Sequence, residues 1–175
     1  MHGGRGVDTV DYSAYDVDLT VSLHNKKAHG LEIGSDTLKF IDNITSGDGD
    51  DFLKGSSGDN VINGGAGDDT IRGLTGEDVL TGGAGADTFV FRTFDLNSAD
   101  VITDFDLLND TLDLSHLAGG EGENFLSSLQ ALEQGDGTLL SVDLNGDGSY
   151  QDICSLEGIG SVSLTTLNNN DCFLF

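Results

Sequence analysis

Side chains able to bind a cation recur at every ninth position between residues 46 and 90. They are Asp51, Asn60, Asp69, Asp78 and Asp87. Each follows a glycine-containing run, which allows a tight turn that directs backbone carbonyl oxygens towards its inside. Carboxylate and carbonyl oxygens are the ligands that Ca²⁺ prefers, and no His or Cys lies in this segment to favour a transition metal. The spacing therefore predicts a row of calcium sites.

The turns belong to one nine-residue phrase that occurs five times without a break: SGDGDDFLK, GSSGDNVIN, GGAGDDTIR, GLTGEDVLT and GGAGADTFV. Position eight is always apolar, and these residues are Leu53, Ile62, Ile71, Leu80 and Phe89. Positions seven to nine predict a short strand with its middle residue inward, a pattern that a flexible linker does not require. Two phrases make one coil, so the core residues of alternate phrases should stack on the same sheet, with about 4.8 Å between parallel strands.

The phrase, written G-G-x-G-x-D-x-U-x with U apolar, closely resembles the nonapeptide of the RTX calcium-binding repeat family. The resemblance implies an all-β fold, a parallel β-roll or solenoid, that binds several calcium ions between successive turns on one edge. In that family one turn supplies the carbonyls of positions two and four with the position-six carboxylate. The next turn on the same edge supplies the carbonyls of positions one and three with its own position six.

Carried over to this sequence, the resemblance implies three calcium sites. The first joins Gly47, Gly49 and Asp51 to Gly64, Ala66 and Asp69. The second joins Ser56, Gly58 and Asn60 to Gly73, Thr75 and Asp78. The third joins Gly65, Gly67 and Asp69 to Gly82, Ala84 and Asp87. A neutral amide replaces a carboxylate at Asn60, so we expect the second site to be weakened.

The N-terminal part of the chain contains two isolated copies of the phrase. They are GGRGVDTVD at 3–11 and LEIGSDTLK at 31–39, with Asp8 and Asp36 at position six. Each of these two carboxylates is either a calcium ligand or a solvated turn residue. The 15 residues from Asp36 to Asp51 are not a multiple of nine, so we expect the roll to be interrupted between them.

The period ends at residue 90 and divides the chain into 1–45 with partial repeats, 46–90 with the roll, and 91–175 as a β-rich cap. The sequence DVITDFDLLNDTLDLSHL (100–117) resembles the segment that follows the repeats in serralysin-type and adhesin-type RTX proteins. It predicts strands that close the end of the roll. Asp100 and Asp104 are either surface acids or ligands that complete a fourth site with Gly76 and Asp78.

Three shorter features of the cap bear on its local structure. Apolar residues at 125, 126, 129 and 132 predict a short amphipathic helix over 125–133. The sequence DLNGDG (143–148) resembles the start of an EF-hand loop, but Cys154 stands where a bidentate Glu is needed, which favours a hairpin turn. Cys154 and Cys172 would either form a disulfide in a secreted domain or remain free apolar thiols.

The charge balance limits the partners of the chain. Thirty-one acidic residues against seven basic ones give a formal net charge of −24, which argues against nucleic acid or an anionic membrane surface. Self-repulsion also predicts that the metal-free chain is largely disordered. No stretch approaches about 18 apolar residues, so we expect no membrane insertion. A repeat begins at residue 3 without a preceding signal peptide, so we expect a fragment of a larger protein. We also expect the chain to be a monomer.

The sequence contains no recognisable catalytic constellation. Its histidines are scattered at positions 2, 24, 29 and 116 without H-E-x-x-H spacing, and it has no G-x-S-x-G motif. We therefore expect no enzymatic activity in this chain.

The C-terminal sequence NNNDCFLF resembles the uncleaved signal of proteins exported by type I secretion, and residues 82–175 resemble the C-terminal target domain of large bacterial RTX adhesins. The resemblance implies a calcium-binding module of a secreted cell-surface adhesin. Such a module passes unfolded through a type I exporter and folds on extracellular calcium. Two alternatives are the noncatalytic RTX domain of a secreted protease, lipase or polysaccharide-modifying enzyme, and a glycan-binding module, although the chain has no tryptophan.

Overall fold

The structure is a computed structural model that describes residues 1–96, 98–117, 125 and 127–174. Its strands, in chain order, are β1 (Thr9–Asp11), β2 (Leu19–Ser22), β3 (Lys27–Gly30), β4 (Gly34–Thr37), β5 (Asn43–Thr45), β6 (Phe52–Lys54), β7 (Val61–Ala66), β8 (Thr70–Arg72), β9 (Val79–Ala84), β10 (Thr88–Arg92), β11 (Asp100–Ile102), β12 (Thr111–His116), β13 (Leu129–Gln134), β14 (Gly137–Val142), β15 (Gln151–Leu156) and β16 (Phe173–Leu174). A short helix, α1 (Leu164–Asn169), begins after Ser163, whose side chain accepts a hydrogen bond from the Thr166 amide.

The strands form two sheets of eight, and the chain crosses from one sheet to the other at each turn of the central segment. The first sheet has the order β1-β5-β7-β9-β11-β15-β14-β13, and the second has the order β16-β12-β10-β8-β6-β2-β3-β4. Neighbouring central strands are parallel and pair residues 18 positions apart, such as Ile62 with Leu80. This topology is a parallel β-roll. It confirms the expected all-β fold class with a β-rich C-terminal region and a short helix.

The position-eight residues of the repeats form the core between the two sheets. Each of them is at most 1% exposed. The second sheet contains Leu53, Ile71 and Phe89, and the first contains Ile62 and Leu80. Alternate phrases therefore share a sheet, as the period predicts. Full burial of one such side chain stabilises the fold by about 1.5–3 kcal/mol, so the five position-eight side chains together are a main source of stability.

Ile71→Ala should lower the free energy of unfolding in saturating calcium by about 2–5 kcal/mol, because it leaves a cavity between the sheets where the Ile71 side chain is fully buried. Val61→Ala is the control, since Val61 is 48% exposed and its truncation should change that energy by less than about 0.5 kcal/mol. Urea unfolding followed by circular dichroism measures both. Equal losses in the two variants would contradict the position of the core.

The roll continues beyond the five phrases in both directions. At one end β5 and β1 extend the first sheet in parallel, and they bury Ile44 and Val10. At the other end β11 extends the first sheet and β12 the second, and they bury Ile102 and Leu112. Antiparallel β3 and β4 branch off from β2 and interrupt the roll. They end at Thr37, so the interruption precedes β5, whereas the spacing predicted it between Asp36 and Asp51.

The helix predicted over 125–133 is wrong for the part of it that the structure describes from residue 129 onwards. Leu129–Gln134 is strand β13, which pairs antiparallel with β14, and β14 pairs in turn with β15. Leu126, which contributed to the predicted apolar face, lies outside the described residues. A short apolar run does not distinguish helix from strand by its periodicity. Here the neighbouring strand β14 determines that Leu129–Gln134 is a strand, because it satisfies the backbone hydrogen bonds of β13.

The DLNGDG segment lies in the connection between β14 and β15, which confirms the predicted hairpin turn. The Asp143 carboxylate accepts hydrogen bonds from the amides of Gly146 and Gly148, both at 2.8 Å, and so holds this turn together. Cys154 in β15 and Cys172 before β16 are both buried and free. Within the described part of the chain, no helix is long and apolar enough to cross a bilayer.

Candidate metal centre

The position-six side chains form two columns along the two edges of the roll. One column contains Asp51, Asp69 and Asp87, and the other contains Asn60 and Asp78; all are at most 3% exposed. In each column the backbone amide of one residue donates a hydrogen bond to Oδ1 of the residue 18 positions later. These distances are 2.8 Å from Asp51 to Asp69, 2.9 Å from Asp69 to Asp87 and 2.7 Å from Asn60 to Asp78. Stacking of the turns thus brings the predicted side-chain ligands into register.

The second carboxylate oxygen of three of these aspartates lacks a partner. Oδ2 of Asp69, Asp78 and Asp87 is buried and accepts no hydrogen bond from the part of the chain that the structure describes. A buried carboxylate oxygen without a donor is strongly unfavourable unless a positive charge compensates it. The columns therefore fit a hard divalent cation that is bound through oxygen.

Backbone carbonyls of the stacked turns approach the same oxygens. The Cα of Gly64, a residue of the first predicted site, faces both Oδ2 of Asp69 and the carbonyl oxygen of Gly82 in the next turn. In the first predicted site, the carbonyl oxygen of Gly47 accepts a hydrogen bond from the Ala66 amide at 2.9 Å. Among the described residues, no group of three or more His, Cys, Asp or Glu side chains is placed to hold a metal. A cation would therefore depend on paired carboxylates together with main-chain carbonyls.

Asn60 makes the second column different from the first. Its Oδ1 accepts a hydrogen bond from the Ser56 amide at 2.7 Å, and its Nδ2 donates to the carbonyl oxygen of Asp42 at 2.6 Å. Both polar atoms of the amide thus have partners. A neutral hydrogen bond joins the turn of Asp42 to the turn of Asn60, and the second predicted site retains only the carboxylate of Asp78.

Asp100 continues the second column, whereas Asp104 does not. The Asp78 amide donates a hydrogen bond to Oδ1 of Asp100 at 3.1 Å, as in the repeats. The carboxylate of Asp104 instead accepts hydrogen bonds from the amides of Gly82 and Gly83, on the opposite edge of the roll. The structure therefore brings together Asp78 and Asp100 of the fourth predicted site. Asp104 is separated from them because β11 carries the chain across to the other edge.

Asp8 stacks on a residue that the sequence pattern missed. The Asp8 amide donates a hydrogen bond to the Asp42 carboxylate at 2.9 Å, and β1 and β5 pair in parallel directly after these two residues. Asp42 lies nine residues before Asp51, in the phrase TLKFIDNIT (37–45). The fourth position of this phrase is Phe40, which adopts a φ of 55° where the other phrases have glycine. The absent glycine concealed the phrase.

Asp36 lies in neither column, which corrects the assignment of 31–39 as a copy of the phrase. Asp36 is on β4, the outer strand of the antiparallel branch. Its Oδ2 accepts a hydrogen bond from the Tyr12 hydroxyl at 2.9 Å. The match of glycine, acidic and apolar positions was misleading there because β4 pairs with β3 rather than with a strand of the roll.

Two further sets of carboxylates were not predicted. Asp110 accepts a hydrogen bond from the Asp87 amide at 3.0 Å and so continues the first column. No period leads to Asp110, so the sequence pattern offered no signal for it. At position five, the exposed carboxylates of Asp50 and Asp68 accept hydrogen bonds from the amides of Asp68 and Ala86, at 2.8 Å each. The recurrence of acidic residues at position five was the signal for this outer set.

Burial raises the pKa of the column carboxyl groups when no cation is bound. It raises the pKa of Asp69 to about 8, and the neighbouring carboxylates of Asp51 and Asp87 add to the effect. Burial likewise raises the pKa of both Asp78 and Asp87 to about 6. The charged form of each group is thus disfavoured in the folded, metal-free chain.

The metal-free chain should therefore be more ordered at pH 5.5 than at pH 8. The folded-state pKa values of Asp69, Asp78 and Asp87 lie above the ordinary value of about 3.9. The stabilising contribution of these three carboxyl groups to the free energy of unfolding is fully present below about pH 4, and it is lost as the pH rises towards 8 and the groups ionise. Circular dichroism of protein stripped of calcium on a chelating resin measures this, with light scattering to detect aggregation near the pI of about 4.1. Greater order at pH 8 would contradict the burial of these groups.

Comparison with known proteins shows which protein family the repeats of this chain match. Residues 40–71 and 63–92 match the family model of the RTX calcium-binding nonapeptide repeat, which spans four copies. The AlgE6R2 subunit of the Azotobacter vinelandii mannuronan C5-epimerase, a solution structure, is 25% identical; the match covers 97% of this chain and 92% of that one, with a TM-score of 0.48. The AlgE6R3 subunit is 30% identical over 73% and 79% of the two chains, with a TM-score of 0.30. No curated protein matches the chain.

The family match begins at residue 40 and therefore includes Asp42, whose carbonyl oxygen accepts a hydrogen bond from the side chain of Asn60 in the second column. The nine-residue period, the parallel roll and the two columns of buried side chains agree with that match. Residues 40–92 of this chain consist of RTX calcium-binding nonapeptide repeats, a family that binds several calcium ions.

Proposed function

We propose that the chain is a noncatalytic calcium-binding module of a secreted RTX protein, a bacterial cell-surface adhesin, and that it folds when it meets extracellular calcium. The observation that carries the proposal is the set of buried, unpartnered carboxylate oxygens of Asp69, Asp78 and Asp87. They lie in columns in which each turn stacks on the turn 18 residues before it. Cations between the turns would compensate all three.

The proposed sites follow the pairs of stacked position-six side chains. Three have the ligands implied by the family pattern, around Asp51 with Asp69, Asn60 with Asp78, and Asp69 with Asp87. A fourth joins the turn of Gly76 and Asp78 to Asp100, whose Oδ1 already accepts the Asp78 amide. Calcium would supply the positive charge that these columns lack. Asp69 and Asp78 each belong to two sites, so the sites of one column are coupled.

Coupling of calcium to folding is supported by the charge of the chain. A formal net charge of −24 repels itself in any compact state. With dissociation constants of about 10⁻⁴–10⁻³ M, one site adds only about 1 kcal/mol when free calcium is a few times that value. Several coupled sites are therefore needed to switch the fold. In the low free calcium of the cytosol the chain would stay unfolded and suited to export, and outside the cell it would fold.

Export by a type I exporter is supported by the C-terminal sequence and by its place in the folded chain. Strand β16 pairs with β12, with Phe173 opposite Leu112, and Cys172 is fully buried. An exporter would therefore have to bind this tail before the chain folds. Burial of the tail outside the cell would then oppose backward movement. We further propose that the folded module is monomeric and lies outside the cell or at its surface.

A secretion assay tests the export part of the proposal. A passenger protein is fused in front of residues 1–175 and produced in a bacterium that has a type I exporter. We expect the passenger in the medium, and its retention when residues 171–175 are removed or the exporter is inactivated. Retention of the complete fusion despite an active exporter would contradict export. Antibodies against the chain on intact cells distinguish a surface adhesin from a freely secreted enzyme.

A further inference from the structure

The first carboxylate column does not end with the last nonapeptide. After the turn of Asp87 the chain forms β10 and β11, and residues 106–110 then make the next turn on the same edge, before β12. Asp110 lies 23 residues after Asp87, yet its Oδ1 accepts the Asp87 amide at 3.0 Å. Oδ1 of Asp87 accepts the Asp69 amide at 2.9 Å in the same way. Asp110 therefore occupies the column position without belonging to a repeat.

The Asp87 carboxylate has one oxygen without a hydrogen bond from the described residues. Asp87 is 1% exposed, and its Oδ2 has no hydrogen-bond partner among the described residues. Oδ1 is occupied by the amide of the turn below, so Oδ2 is the oxygen left for the turn above. It lies against Gly82, as Oδ2 of Asp69 lies against Gly64 one turn earlier. The Asp87 carboxylate therefore has the same arrangement, one turn later, as that of Asp69, which is a proposed calcium ligand.

We propose that a further calcium ion binds between the carboxylates of Asp87 and Asp110, at the junction of the roll and its cap. The inference rests on the proposed function, because it extends the same oxygen chemistry to a turn outside the nonapeptides. A third carboxylate, that of Asp104, lies beside the turn of Asp87. The Asp104 carboxylate accepts the amides of Gly82 and Gly83 at 3.0 and 2.9 Å.

An ion at this place fastens the cap to the roll. Strand β12 begins at Thr111, directly after Asp110, and pairs with β10 on one side and with the C-terminal β16 on the other. Oδ2 of Asp110 accepts the Asp106 amide at 2.8 Å, so the same carboxylate also closes its own turn. Order in this turn therefore sets the position of β12 and, through it, of the chain end.

Calcium stoichiometry tests the inference. Equilibrium dialysis in millimolar calcium is applied to the unaltered chain, to Asp110→Asn and to Asp106→Asn. We expect Asp110→Asn to bind one ion fewer and to need more calcium to fold, and Asp106→Asn to keep the unaltered number. Asp106 is the matched control because it lies in the same turn but is exposed, and its carboxylate accepts the Leu108 amide and the Asn109 side chain instead.

Equal ion numbers in all three proteins overturn the inference and leave the repeat sites standing. If Asp110→Asn does not fold, crystals of the unaltered chain grown in calcium decide the question. An anomalous difference peak between Asp87 and Asp110 is expected there, and peaks confined to the repeats would overturn the inference. An unaltered chain that binds no calcium at all overturns both the inference and the proposed function.

Discussion

Gly83→Ala should prevent the last turn of the repeats from stacking and should destabilise the chain by several kcal/mol. Gly83 has a φ of 109°, which side chains rarely adopt, and a Cβ there would overlap the carbonyl oxygen of Gly65 in the turn below. Backbone strain and overpacking cost about 1–3 kcal/mol each. That carbonyl is also a proposed calcium ligand, so we expect loss of the third site. Urea unfolding in saturating calcium and calcium stoichiometry measure the two effects.

Gly58→Ala is the matched control for this substitution. Gly58 is also a turn glycine of the repeats, but its φ is not positive and a Cβ there would meet nothing within 4 Å. We expect a change of less than about 1 kcal/mol and unaltered calcium binding. If the roll tolerated the two alanines equally well, the turns would not be stacked as closely as described.

Asp69→Asn should remove about 2 kcal/mol of stability in saturating calcium. Asp69 is the carboxylate shared by the first and third proposed sites, and weakening of two sites costs about 1 kcal/mol for each. The amide keeps an oxygen for the Asp51 amide, which donates to Oδ1 at 2.8 Å, so the stacking of the turns is preserved. The change therefore isolates the charge of the ligand. Unfolding by urea at fixed calcium concentration measures the loss.

Glu77→Gln is the matched control for Asp69→Asn. It removes one negative charge from a turn of the same roll, but the Glu77 side chain is exposed at position five. We expect its effect to stay within about 0.5 kcal/mol. Equal losses in the two variants would mean that general charge repulsion, and not ligation in the column, governs the stability of the roll.

The period of the sequence was sufficient to predict the centre of the molecule. Position eight faces the core in every phrase, and the carboxylates of Asp69, Asp78 and Asp87 each accept the amide of the residue 18 positions earlier, because the same backbone geometry recurs along the roll. The amide and carboxylate pairs between Asp51, Asp69 and Asp87 follow from that geometry alone. Residues whose structural role recurs with the period were therefore predictable without a structure.

Predictions failed where tertiary contacts replace the period. Asp42 was missed because Phe40 adopts the positive φ that the pattern reserves for glycine, while β5 of the same phrase pairs with β1 and β7. Asp110 reaches its place through a connection of a different length, which leaves no regular spacing to detect. Strand β13 has helix-like apolar spacing, but its pairing with β14 determines its conformation.

We expect the acidic turns to close only when calcium ions join one turn to the next. Far-UV circular dichroism of the chain at pH 7.4, during a titration from chelator to millimolar calcium with magnesium as the control, tests it most directly. We predict a disordered spectrum in chelator and in magnesium, and a cooperative appearance of β-structure as calcium is added. The same folded spectrum in chelator and in calcium would contradict the account.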